Sequence, residues 1–354
     1  MATRIRHILV AVSDERRTPK SELGKAAALA RVAGASVELF HAMTEPDPGA
    51  GYPETVTAKT VRERRAALVA KHQRRLEHLA RDPVMRGVRV TSTAVWDHPP
   101  HEAVIRQARR SGADLVIVAT RSHRPGARLL LRNTDWELIR HCPLPVLLVK
   151  SHRLWRRPAV LAAVDPFHAH ARPADLDARL LEAGRSLAHL LKGNLHVFHA
   201  YMPLIMVDAA PLSGAPIAMT PPEMEQAHEQ QVEAAIDRLA ATARVPPARR
   251  HVCMGDVSGE LTAVARRIRA GVVVMGAVSR SALTRFFIGN TAERVLDKLD
   301  CDTLVVKPRG FKSQVSRSRA GTLSSRRRGA APRTLGRPRA AAAAGVANLR
   351  PTLP

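Results

Sequence analysis

Aromatic residues make up only 3% of this 354-residue chain, so any core must be packed from aliphatic side chains. Cysteine is nearly absent. Cys142, Cys253 and Cys301 are scattered without paired spacing, which fits neither a disulfide framework nor a zinc site and suits a reducing compartment. No apolar run reaches the roughly 18 residues that a membrane-spanning helix needs. The N-terminal MATRIRHILVAVSDE enters a strand pattern directly, without the long apolar stretch and cleavage site of a secretory leader. A soluble, cytoplasmic protein is expected. Acidic residues are also scarce, with 31 Asp and Glu against 56 Lys and Arg, a net charge of +25. Eleven of the Lys and Arg lie in residues 309–354, where there is no Asp or Glu, which leaves +14 on the other 308 residues.

What the chain does have is written twice. HILVAVSDE (7–15) is answered by AVLAAVDPF (159–167), and SVELFHAMTEP (36–46) by NLHVFHAYMP (194–203), both with Phe-His-Ala after a strand. DLVIVATRS (114–122) matches GVVVMGAVS (271–279), and CPLPVLLVK (142–150) matches CDTLVVKP (301–308). From Ala119/Gly276 to Lys150/Lys307 the offset stays at 157 residues without a gap. So long a period indicates two homologous domains and not a solenoid. The boundaries read as 1–151, 152–308 and a tail, 309–354.

Within each half, short apolar runs alternate with longer amphipathic segments such as KSELGKAAALARVAG and PEMEQAHEQQVEAAIDRLAATAR. LVIVA, VVVM, VLLV and LVV are apolar on both faces, as strands of a parallel sheet covered by helices on each side would be. Five strands and four helices per half make a doubly wound α/β domain. Ligands bind such sheets where the strand order reverses. If the first and fourth strands flank that point, Asp165 faces Gly276.

The segment GAVSRSALTRFFIGNTAERVL (276–296) lies at that position. Gly276-x2-Ser279-x9-Gly289-Asn290-Thr291, after a buried strand and before a helix, resembles the ATP-binding signature of the universal stress protein family, here in tandem form. The likeness covers residues 4–308. It implies an adenine nucleotide alpha hydrolase-like fold in both halves and a role in resistance to stress, DNA damage included. It also implies adenosine contacts from Asp165, Pro166, Ala200, Met275 and Gly276. Ser279, Gly289, Asn290 and Thr291 would serve the phosphates, with Mg2+ as a companion of ATP. Ser279 replaces the middle glycine of the signature, and Asn290 stands where Ser or Thr follows the last one. No Gly-Lys-[Ser/Thr] loop, Gly-x-Ser-x-Gly or paired catalytic carboxylates occur, so no catalytic residue is assigned and at most a slow incidental ATPase is expected.

The chemistry of that loop is straightforward. Glycine lets backbone N–H groups approach a phosphate, and a helix start adds unpaired donors and partial positive charge. Asn290 would cap the helix, and Glu293 would complete a capping box. Any strand–loop–helix connection also needs a glycine and a cap, so a purely structural connector stays open. The first half reads Ala119-x2-Ser122-x9-Arg132-Asn133-Thr134-Asp135. It has lost both outer glycines and gained an acid in the first helical turn, so it is not expected to bind ATP.

His98 and His101, and His168 and His170, read as loop histidines, since no regular third metal ligand follows. His41 and His199 would hold backbone near the strand ends, and Trp96 and Trp136 would pack beneath loops. PLIMVDAAPLSGAPIAMTPPEM (203–224) is a covering loop or a soft wall for an apolar ligand. The Arg/Ser/Pro/Ala-rich tail should be disordered, with only charge-driven affinity for nucleic acid. The family pairs its last strands, so the halves would form a pseudo-dimer, packed face to face, and a homodimer is left open. Partners would be an adenine nucleotide and other stress-protein chains or regulatory proteins. The alternative is a nucleotide-free scaffold or a binder of a small apolar ligand between the halves.

Overall fold

Ten strands lie in a single sheet, ordered β3-β2-β1-β4-β5-β10-β9-β6-β7-β8. The structure is a computed structural model and describes residues 5–13, 20–43, 57–120, 133–167, 175–203, 222–276 and 290–316. Residues 317–354 of the tail, the loop across 204–221 and the two strand-to-helix loops at 121–132 and 277–289 lie outside these residues, whereas 309–316, expected to be disordered, belong to the folded part, with Val315 buried in the core.

The first half runs β1 (His7–Ala11), α1 (Lys20–Ala33), β2 (Ser36–Ala42), α2 (Ala58–Ala80), β3 (Val90–Val95), α3 (Pro100–Ser111), β4 (Leu115–Ala119), α4 (Asn133–His141) and β5 (Val146–Val149). The second repeats the series as β6 (Ala159–Ala163), α5 (Leu176–Leu190), β7 (Asn194–Tyr201), α6 (Pro222–Thr242), β8 (Arg250–Met254), α7 (Val257–Arg267), β9 (Ala270–Gly276), α8 (Asn290–Lys298) and β10 (Asp302–Val306). In each half the first strand pairs in parallel with the second and the fourth, so the order reverses where expected.

Local chemistry sets the ends of the elements. Thr57 Oγ1 accepts from Thr60 N at 3.2 Å to start α2, and Asp256 Oδ2 accepts from Gly259 N at 3.1 Å to start α7. α3 stops on Gly112, whose φ of +68° closes the helix in the left-handed region. β4 and β10 are buried along their whole length, which explains their unbroken apolar runs. Strand alternation divides the core in two. Ile8, Val10, Val160 and Ala162 face one cluster, and Leu9, Ala11, Leu161 and Met275 face the other; each cluster draws on both halves.

The halves do not stack face to face. β5 and β10 pair antiparallel, with Leu147 opposite Leu304, and join the two five-stranded parallel sheets edge to edge. Each last strand is apolar on both faces, so one pairing satisfies both edges and keeps both faces under helices. Asp302 anchors the junction. Its Oδ1 accepts from the N–H groups of Lys150 (2.9 Å) and Ser151 (3.0 Å), and its Oδ2 from Trp155 Nε1 (2.8 Å). Oδ2 also pairs with Lys25 Nζ at 2.6 Å, both side chains being 0% exposed. The Lys150 ammonium donates to the carbonyls of Leu296 and Leu299 at the end of α8, and burial lowers its pKa to about 8. Lys307, its counterpart, is lowered to about 8 by the same cause.

Candidate functional site

The crevice of the second half forms where β6 separates β7 from β9. Ala162 lies opposite Val274, and Ala163 opposite Phe198. This register brings Asp165, two residues past β6, level with Ala200 on β7 and the end of β9 at Met275 and Gly276. Five of the expected residues, Asp165, Pro166, Ala200, Met275 and Gly276, therefore share one end of the sheet. Ser279 and Gly289 lie outside the described residues, as do Arg280 and Arg285.

Two residues fix the backbone there. His199, buried at 6% exposure, donates from Nδ1 to the carbonyl of Val164 at 3.0 Å, while Val164 N donates to Phe198 O at 2.9 Å. Asp177 in the first turn of α5 accepts the N–H of Asp165 at 3.1 Å. The Asp165 carboxylate is partly exposed, and no described residue bonds it. A partly exposed carboxylate at this end of the sheet is an acceptor suited to a hydroxyl. The histidine was to be expected, because Phe-His-Ala recurs. Asp177 escaped notice, since an acid near a helix start usually serves its own helix.

Gly276 has a local cause as well. A Cβ built there would approach Leu176 Cδ2 to 2.8 Å, so the glycine lets α5 settle on the sheet whether or not a ligand binds. α8 begins at Asn290, with Thr291 half-buried in its first turn. The expected capping box falls on Asn290, whose side chain lies outside the described residues; Glu293 Oε1 pairs with Arg140 Nη2 of the first half at 3.3 Å.

The first half keeps the scaffold and changes the lining. Val12 N donates to Phe40 O at 2.8 Å, and His41 Nδ1 to Val12 O at 2.7 Å, as in the second half. Ala119 stands in place of Gly276, and Asp135 is 3% exposed in the first turn of α4. A buried acid at that helix start opposes an anion.

Of the remaining candidates, Trp136 packs against the core, and the Arg65 guanidinium lies 5.5 Å from the centre of the Trp96 ring. His101 stacks on His141 with centroids 6.0 Å apart, and burial lowers its pKa. No group of three His, Cys, Asp or Glu side chains able to hold a metal occurs among the described residues; His168 and His170 lie outside them. No described helix is long and apolar enough to cross a membrane.

The universal stress protein family model matches twice, over residues 4–150 and 159–307. Universal stress protein E of Escherichia coli K12 is 30% identical over 239 residues, 65% of this chain and 72% of its own length. The protein of that name from Photorhabdus laumondii is 28% identical over 234 residues, with the same coverage of 65% and 72%. Among solved structures, a putative universal stress protein from Pseudomonas aeruginosa UCBPP-PA14 superimposes with a TM-score of 0.66 at 26% identity, covering 87% of this chain and 95% of that one. A functionally unknown protein from Pseudomonas aeruginosa PAO1 gives 0.65 at 25% identity, covering 87% and 94%. The chain belongs to the universal stress protein family and carries two copies of its domain in tandem.

Proposed function

We propose that the second half binds ATP or a related adenine nucleotide, and that the chain acts as a cytoplasmic sensor in the stress response, DNA damage included, and not as a turnover enzyme. Membership of the family supports the stress-response role. One observation carries the nucleotide reading: the two halves share a scaffold but differ at the crevice. In the second half the partly exposed Asp165 ends at the same side of the sheet as Gly276, and in the first half Ala119 and the buried Asp135 stand at the corresponding loop and helix start. Asp165 would accept a ribose hydroxyl, and Ala200 and Met275 would line the base. Thr291 and the start of α8 would meet phosphate, with Mg2+ shared between the phosphates and solvent.

A second reading is favoured by the first half itself. It preserves the His41–Val12 bond and the whole sheet with a lining unsuited to an anion, as a domain retained for contacts would. On this reading the chain is an interaction scaffold for other stress-protein chains or regulatory proteins. Calorimetric titration of the full chain with ATP and Mg2+ separates the two. The sensor predicts one site per chain, abolished by Gly289→Arg, which copies Arg132 of the first half. No heat at millimolar ATP, or binding unaffected by that change, favours the scaffold.

A further inference from the structure

The linker between the halves also builds a cavity. Residues 151–158 cross the end of α7 and the start of β9 and there enclose a space of about 560 Å³, a size usual for small-molecule sites. This is the amino end of β9, opposite to the crevice, so the two places are distinct. Arg153 and Arg156 come from the linker, and Arg266 and Arg269 from the end of α7. Asp300 is the one carboxylate on the wall, and it pairs with Arg266 at 3.0 Å. Arg153, Arg156 and Arg269 have no carboxylate partner among the described residues. Three exposed arginines without a carboxylate partner among the described residues thus line one concavity.

The duplication supplies an internal control. Arg269 has a φ of +52°, in the region that favours glycine, and its counterpart 157 residues earlier is Gly112, with a φ of +68°. The first half uses the residue the backbone favours; the second holds an arginine there, as it holds Lys192 and Arg244 at positive φ past other helices, and of these three Arg269 lines the cavity. Arg109, the counterpart of Arg266, is occupied in the first half by the carbonyl of Val315 at 2.6 Å. The cavity walls are also fixed. A Cβ at Gly271 would meet Pro158 Cβ at 2.6 Å, so linker and strand touch directly, and Asp302 holds the Trp155 indole at 2.8 Å.

From these observations we infer that the linker cavity binds a small molecule bearing two or more phosphate groups. Guanidinium forks match phosphate oxygens in pairs, and three unpaired forks suit a multiply charged anion. Because residues 151–155 also carry the bonds to Asp302, a ligand here grips the segment that ties the halves together.

The test uses the full chain and sodium tripolyphosphate, read by hydrogen exchange and by titration at matched ionic strength. Protection is expected in 151–158 and 265–271. Arg269→Gly, which restores the residue of the first half and relaxes the backbone, is expected to weaken binding tenfold or more, as is Arg153→Ala/Arg156→Ala. Binding unchanged in Arg269→Gly overturns the inference. So does binding without protection in those two segments, which would assign the anion to the Arg-rich C-terminal segment or to the crevice. ATP binding at the crevice shows itself separately, by its loss in Gly289→Arg.

Discussion

Replacing Gly276 by alanine forces a Cβ against Leu176 Cδ2, 2.8 Å away, at the point where α5 meets β9. Overpacking of this kind costs about 1–3 kcal/mol, so Gly276→Ala is expected to lower the urea midpoint of the chain with no nucleotide present. An unchanged midpoint would mean that Leu176 can move aside. A glycine read from spacing as making room for phosphate thus also makes room for a leucine 100 positions earlier, which no local pattern discloses. A second residue-scale effect concerns His196 and His251, whose Nδ1 and Nε2 atoms lie 3.0 Å apart. One ring must donate and the other accept, so both cannot be charged. Burial lowers both pKa values, that of His196 to about 4, with His251 and Arg249 adding to the effect. The unfolded chain therefore binds more protons between about pH 4 and 6.5, and stability intact above 6.5 falls as pH drops through that window. Thermal melts from pH 7 to 4.5 should show the fall, and His196→Gln should flatten it. An equal slope in the variant would place the acid sensitivity elsewhere.

Among the elements, β10 shows most clearly what could and could not be anticipated. CDTLVVKP announces a buried strand, and its match to CPLPVLLVK announces that it is the last of its half. Asp302 looks like a polar strand start, but it meets Lys25, Lys150, Ser151 and Trp155, all from earlier parts of the chain. Such a set is assembled by topology and leaves no periodic trace. Asp302→Ala would leave the Lys25 ammonium buried without its counter-charge, a loss of about 3–5 kcal/mol. Adding Lys25→Met should recover the part owed to the stranded charge in denaturant unfolding, while Lys150 N, Ser151 N and Trp155 Nε1 still lack Asp302. If the double variant is no more stable than Asp302→Ala, the ion pair is not the source. The third strands, β3 and β8, show the opposite limit. As sheet edges they are only partly buried and carry no apolar run, while the central strands were plain in the sequence because both their faces are covered. For α8, composition foretold the helix start but not the partner of Glu293, because Arg140 comes from the other half.

For the molecule as a whole, the constant offset of 157 residues disclosed the duplication, while the alternation of strands and helices pointed to a doubly wound sheet whose order reverses at the first strand. It did not disclose that the halves meet edge to edge, since apolar last strands serve a stacked or a continuous sheet equally. Continuity has a measurable outcome. A separated second half, residues 152–316, exposes the β10 edge that β5 covers in the intact chain, and it is expected to self-associate through it. Light scattering after size exclusion checks this, and a monomer at tens of micromolar concentration, as an order of magnitude for such experiments, would count against it. The same junction has a consequence on the ribosome. β5 ends at Val149, but its partner β10 starts only at Asp302. At about 5–20 residues per second, the intervening stretch of roughly 150 residues takes about 8–30 s to make. Through that interval the strand VLLV waits with one edge bare, in a polysome where neighbouring nascent chains bear the same strand. Timely synthesis of the second half thus acts as the chaperone of the first, and a stall between the halves opens the way to exchange of strands between chains.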